Sequence, residues 1–222
     1  MSDCVLFDLD GTLLDTAPDM GRALNRLLAE QGRPPLPAET IRPVVSHGSP
    51  GLLELGFGII PDHTDYPALR DRFLALYRAD LARGTRPFPG ITELLDWLEA
   101  RDIAWGVVTN KPGWLTDPLL AALALTPRAA CIVSGDTLAQ RKPHPAPLFH
   151  ACEQVGVNAA ACVYVGDAVR DVEAGRRAGM RTVVARYGYI HPREQPAGWG
   201  ADLVIDAPAA LRTWLEPAES AP

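Results

Sequence analysis

The sequence predicts an α/β fold, a doubly wound parallel sheet with a block of helices inserted after its first strand. Three observations predict it. From residue 88 onward, short apolar runs alternate with segments of helical spacing, the pattern of βαβ units with right-handed crossovers. Those runs are apolar throughout, which suits a sheet covered on both faces. Between Thr16 and Gly84, by contrast, no run reads as a strand. The expected domains are an α/β core of residues 1–15 and 85–222 and a helical cap of residues 16–84.

Val5–Phe7 is a short apolar strand that ends in Asp8-Leu9-Asp10-Gly11-Thr12. Thr16-Ala17-Pro18-Asp19 reads as a helix start, with a capping threonine, a proline in the first turn and an acid three residues past the cap. Met20, Leu24, Leu27 and Leu28 then recur at helical spacing up to Gly32 and Pro34-Pro35. Leu69, Phe73, Leu76 and Tyr77 mark a second helix in the insert. After Phe88-Pro89-Gly90, a helix with Leu94, Leu95 and Leu98 leads to a strand at Ile103–Thr109. Helix Leu115–Leu125 precedes strand Cys131–Ser134, and helix Ala146–Val155 precedes Ala161–Val165. Helix Val169–Ala178 precedes Arg181–Ala185, and a last strand falls at Leu203–Ile205. The Pro/Ala/Glu-rich end, Glu216–Pro222, is expected to fray.

The composition narrows the function. With 47% hydrophobic and 22% charged residues the chain is an ordinary globular mixture. A net charge of −6 argues against a nucleic-acid partner. Only Lys111 and Lys142 are lysines among 21 Lys and Arg residues, so no lysine-rich membrane patch can form. Met1-Ser2-Asp3 has no basic stretch, and Leu119–Leu125 is about a third of the ~20 residues a membrane span needs. A soluble cytoplasmic protein is expected, monomer or homodimer. Cys4, Cys131, Cys152 and Cys162 show no C-x-x-C spacing and read as buried reduced thiols. The five tryptophans read as packing.

In a doubly wound sheet, ligands bind beyond the carboxyl ends of the strands. The first strand here ends at Asp8 and Asp10, the second at Thr109-Asn110-Lys111, and the fourth at Gly166-Asp167, followed by Asp171. Lys142 sits in the loop before the helix that feeds the Asp167 strand. Four carboxylates gathered in one cleft either hold protons or recruit a cation, and all-oxygen donors select Mg²⁺ over zinc. A divalent ion, an ammonium and hydroxyl and amide donors around one centre describe a phosphoryl-group site. Asp8 and Asp10, two apart on an extended chain, are expected to project to one face. One carboxylate could then attack phosphorus while the other moves protons.

Asp8-x-Asp10-Gly11-Thr12, Thr109-Asn110, Lys142-Pro143 and Gly166-Asp167-x-x-x-Asp171, in that order, resemble the motifs of the haloacid dehalogenase (HAD) superfamily, and within it the phosphoglycolate phosphatase-like branch. The resemblance covers the whole chain and implies a Rossmann-like core with a helical cap. It implies that Asp8 is the nucleophile and a metal ligand, and that Asp10 is the general acid/base and binds metal through its carbonyl. Thr109, Lys142 and the Asn110 backbone would hold the transferring phosphoryl group. Asp167, with Asp171, would bind Mg²⁺, although Asp171 also suits the dipole of the helix starting near Val169. Dehalogenases of this superfamily usually lack the second aspartate, and phosphonatases need a cap lysine that residues 16–84 do not contain. The implied reaction is hydrolysis of a small phosphorylated metabolite such as phosphoglycolate. A sugar phosphate, N-acetylmuramic acid 6-phosphate or a phosphomutase reaction are the alternatives. A receiver-type phospho-acceptor fits poorly, because here the lysine precedes the last acidic motif. His47, in the glycine-rich stretch Ser46–Gly51, and Arg42 are candidate cap contacts to substrate, Arg42 for a carboxylate. Asp15 reads as a hinge or helix-start residue.

Overall fold

Each strand of the main sheet is a short run, apolar apart from Arg181 and Thr182, that ends where a polar residue or glycine begins. The computed structural model describes residues 3–216, so the expected frayed end lies, past Glu216, outside the described residues. Along the chain come β1 (Cys4–Phe7), β2 (Leu14–Asp15), α1 (Ala17–Glu30), α2 (Ala38–Ile41), a 3₁₀ segment (Arg42–His47), α3 (Gly48–Phe57), α4 (Tyr66–Ala79) and β3 (Arg86–Pro87). Then follow α5 (Ile91–Glu99), β4 (Ala104–Val108), α6 (Gly113–Ala122), β5 (Cys131–Val133), α7 (Ala146–Val155), β6 (Cys162–Gly166), α8 (Val169–Arg177), β7 (Arg181–Ala185), β8 (Leu203–Ile205) and α9 (Pro208–Leu215). Among the described residues no helix is long and apolar enough to cross a membrane.

Six strands form one parallel sheet in the order β5-β4-β1-β6-β7-β8. Side chains alternate faces along each strand. Val5, Phe7, Val163 and Val165 therefore enter one apolar cluster, which continues into α1 and α4. Cys4, Leu6, Cys162 and Tyr164 enter the other, beneath α7. All four cysteines are buried, free and in that second cluster. β1 lies between β4 and β6 with Phe7 in register with Val107 and Val165. Strand order reverses at β1, so the residues just past these three strands share one crevice.

Several elements carried no local signal. β2 and β3 are two residues each, too short for periodicity, and they pair antiparallel with Asp15 opposite Arg86. They lead the chain into and out of the four helices α1–α4. α3, GSPGLLELGF, has no polar face to give a helical alternation, and the glycine-rich stretch around His47 is a 3₁₀ turn running into that helix. α9 was equally silent.

The start of α1 also differs from expectation. Thr16 makes no side-chain cap; the Ala17 N–H is capped by the Tyr189 hydroxyl at 2.9 Å. Asp19 does not turn back on the cap either. Fully buried, it accepts from the Gly84 N–H (2.7 Å), the Thr85 N–H (3.0 Å) and the Thr85 hydroxyl (2.6 Å), and it pairs with Arg22. One carboxylate thus ties the exit of the helical segment to its entry. Asp19→Ala orphans those donors and is expected to lower stability by about 3 kcal/mol. Urea unfolding checks it; a midpoint equal to that of the unmodified protein would remove the tie.

Candidate active site

The crevice is built around two lysines. Asp8 follows β1 directly, and its N–H continues the ladder to the Val165 carbonyl at 2.8 Å. Its Oδ1 lies 2.8 Å from Lys142 Nζ, which also reaches Asp171 Oδ1 at 2.8 Å and the Tyr164 hydroxyl at 2.6 Å. These contacts use all three ammonium donors. The Tyr164 hydroxyl in turn donates to the Val108 carbonyl at 2.8 Å. Asn110 pins the backbone of Lys142 from both sides: its Nδ2 donates to the carbonyl (3.0 Å), and its Oδ1 accepts the N–H (3.1 Å). The Lys142–Pro143 peptide is cis.

Asp167 accepts the Tyr189 N–H at 2.8 Å and the Ser46 hydroxyl at 2.5 Å on Oδ2. Its Oδ1 is buried and unpartnered. Gly11, at φ +87°, passes so close that a Cβ there would meet Asp167 Oδ2 at 2.0 Å. Asp171 takes the helix-start role: its Oδ2 accepts the Ala168 N–H at the start of α8 (3.1 Å), while Oδ1 faces Lys142. Arg170 donates to the Ser46 carbonyl at 2.7 Å, joining α8 to the 3₁₀ segment of the insert.

Carboxylate oxygens of Asp8, Asp167 and Asp171 all lie within 4.8 Å of one another. Burial pushes the Asp8 carboxyl up, but Lys142 and then Arg170 outweigh it and hold the group below the usual range. Burial, with the Asp8 and Asp171 charges, drives Asp167 up to about 7. Burial also raises Asp171 despite Lys142. An orphaned buried oxygen among three converging carboxylates fits a hard divalent cation held by Asp8, Asp167 and Asp171.

That arrangement has a pH signature. The folded Asp167 carboxyl binds its proton more tightly than the ordinary value of 3.8 allows. Its contribution is therefore fully present below pH 3.8 and is lost as pH rises through about 7. Metal-depleted protein should lose stability over that window, and added Mg²⁺ should raise the thermal midpoint more at pH 7.5 than at pH 5. An Mg²⁺ effect equal at both values would disconnect Asp167 from cation binding.

Asp10 departs from expectation. The strand ends at Phe7 and the chain turns through Leu9, so Asp8 and Asp10 are not on one extended face. Both still line one cavity of about 800 Å³, but each has its own lysine: the Asp10 oxygens lie 2.8 and 3.0 Å from Lys111 Nζ. Thr109, Asn110 and His47 line the same cavity, while Lys142, Asp167 and Asp171 are buried beside Asp8. Partial burial and then Arg170 push the His47 imidazole below its usual range. Arg42 does not line the cavity. Its Nη1 reaches both Asp15 oxygens at 3.0 Å, over the Tyr189 ring, and Tyr189 donates to Asp15 at 2.6 Å, where β2 leads into α1. Trp114, expected as packing, lines the cavity and is 40% exposed. Arg170 and Tyr189 escaped the sequence reading, and Lys111 and Ser46, which it names at a strand end and in the glycine-rich stretch, received no role there. One signal for Lys111 was available: a chain rich in arginine keeps only two lysines, and both are here.

Comparison with known proteins agrees with this architecture. Residues 5–185 match the family model described as haloacid dehalogenase-like hydrolase. The chain is 43% identical to an N-acetylmuramic acid 6-phosphate phosphatase of Pseudomonas putida, over 96% of each protein. It is 45% identical to a phosphoglycolate phosphatase of Xanthomonas campestris pv. campestris, over 96% of this chain and 97% of that one. A crystal structure described as a "predicted phosphoglycolate phosphatase" from Haemophilus somnus superposes with a TM-score of 0.85 at 26% identity, covering 97% of this chain and 98% of that one.

Proposed function

The chain belongs to the haloacid dehalogenase-like hydrolase family and is a phosphatase, and from that premise we propose that it hydrolyses a small phosphate monoester through an aspartyl phosphate on Asp8 with Mg²⁺ as cofactor. The observation that carries the proposal is the Asp8 carboxylate, kept ionised against burial by Lys142 and Arg170 at the floor of the cavity. An Asp8 oxygen attacks phosphorus as the bond to the departing alcohol breaks, and Asp10 supplies the proton that alcohol needs. Water then attacks the phosphorus, gives its proton to Asp10, and Asp8 is released with inorganic phosphate. Thr109 and the Asn110 N–H hold the transferring oxygens, joined by Lys142 once it gives up one of its three present contacts. Asp8, Asp167 and Asp171 would hold the cation, with the Asp10 carbonyl. When bound, Mg²⁺ supplies positive charge to the phosphoryl oxygens and offsets the crowded carboxylates.

Residues 16–84 act in this reading as a cap. Two contacts support it: the Ser46 hydroxyl meets Asp167, and Tyr77 of α4 covers Lys111. A closed cap restricts the site to small metabolites and excludes bulk water. Four free buried thiols suit a reducing compartment, which favours the cytoplasm.

Phosphoglycolate is one substrate this reading allows. The 800 Å³ cavity has room for a larger ester and favours, as a second reading, a sugar phosphate such as N-acetylmuramic acid 6-phosphate. Comparing kcat/KM for both esters, with and without EDTA, tests the proposal. Phosphate release should stop with EDTA and return with Mg²⁺; undiminished release in EDTA would refute the metal role.

A further inference from the structure

Asp10 and the helical segment meet at Lys111. The Lys111 backbone is pinned on three sides: its N–H donates to Thr109 Oγ1 (3.2 Å), and its carbonyl accepts the Gly135 N–H (2.8 Å) and the Thr116 hydroxyl (3.2 Å). Its side chain is only 5% exposed and ends on both Asp10 oxygens. Over the ammonium, 4.6 Å from its centroid, lies the ring of Tyr77, carried by α4. Tyr77 is 1% exposed and lines the cavity; its hydroxyl oxygen faces the Lys111 ammonium, and no acceptor takes the hydroxyl proton. Leaving a buried hydroxyl unmatched costs about 1–3 kcal/mol, so a ligand atom is the natural completion of that bond.

We propose that Lys111 and Tyr77 form the leaving-group side of the site: Lys111 is the positioning residue that aims the Asp10 carboxylate, and the Tyr77 hydroxyl donates to the oxygen of the departing alcohol. The proposal rests on the reading of Asp10 as acid/base. It adds that the cap contributes a substrate contact, so the acid is aimed and the alcohol is held only when α4 sits over the sheet edge. A purely structural ion pair would be indifferent to which alcohol departs.

The test therefore varies the alcohol. p-Nitrophenyl phosphate releases a phenolate that needs no proton, whereas an alkyl ester releases an alkoxide that does. The alkyl probe is whichever of 2-phosphoglycolate and N-acetylmuramic acid 6-phosphate is turned over faster. Lys111→Met should lower kcat/KM for the alkyl ester by about 100-fold and for the aryl ester by less than about threefold. If Lys111→Met does not fold, Lys111→Arg is read by the same ratio, since it keeps the charge but not the geometry. Tyr77→Phe should lower kcat/KM for the alkyl ester about fivefold, the equivalent of one neutral hydrogen bond, with no fall in Tm. Equal losses on both esters, or none, would overturn the Lys111 assignment. A fall in Tm for Tyr77→Phe, or unchanged alkyl kinetics, would overturn that of Tyr77. Asp10→Asn separates the levels. If it is selective for the alkyl ester while Lys111→Met is not, only this proposal falls; if Asp10→Asn affects both esters alike, the acid/base reading falls and takes the proposal with it.

Discussion

Asp8→Asn is expected to lower phosphate release by ~10⁴-fold or more, about 5–6 kcal/mol in the barrier. Asparagine keeps the shape of the side chain, and the Asp8 N–H bond to Val165 that sets its position is untouched. What is lost is the anion. The amide oxygen is a poor nucleophile, and it can no longer form an acyl phosphate. Lys142 keeps Asp171 and Tyr164, so the fold around the site should persist, as circular dichroism would show. Acid-quenched wild-type protein should carry an acid-stable, base-labile phosphoryl group that the variant lacks. Turnover within a hundredfold of wild type would end the nucleophile assignment.

The second large effect is on stability. Lys142, whose side chain is 1% exposed, gives all its donors to Asp8, Asp171 and Tyr164. Lys142→Met fills the same space but leaves two carboxylates facing each other with only the Arg170 charge to offset them. Breaking a buried pair this way costs about 3–5 kcal/mol at neutral pH. In a protein of this size that is roughly 10 °C in Tm. The sign of the pH dependence follows from burial, the largest influence on both acids. Without the lysine, burial raises both groups, so their protonated forms become favoured and the penalty shrinks as pH falls. Thermal melts at pH 7.5 and pH 5 should show the deficit narrowing at the lower value. An equal deficit at both would mean that Lys142 acts through packing alone.

Much of the fold was legible because its signals are local. Helix Ala146–Val155 and strands Arg181–Ala185 and Leu203–Ile205 were read with the boundaries they have. Where boundaries moved, the cause was also local: the helix expected to reach Leu125 stops at Ala122, and Ala124 turns left-handed at φ +56°. Elements that failed to announce themselves lacked a period, as in the two-residue strands β2 and β3, or lacked a polar face, as in α3.

The candidate site divides along the same line. Asp8, Thr109 and Asp167 were legible because each directly follows an apolar run, and parallel strands bring such positions to one edge. Partners were not legible. Arg42 suits a substrate carboxylate by residue type, but Asp15, 27 positions away, reaches it first. Asp19 has the spacing of a helix cap, yet the donors at Gly84 and Thr85 hold it.

By itself the sequence determined the order of strands and helices and the residue types delivered to the sheet edge, since both follow from periodicity and spacing along the chain. Only the tertiary structure decided which lysine meets which aspartate, which side chains of α1–α4 reach the crevice, and which carboxylates are raised or lowered. Those outcomes depend on distance and burial between residues up to 175 positions apart, as between Tyr187 and Thr12, and no local pattern encodes them.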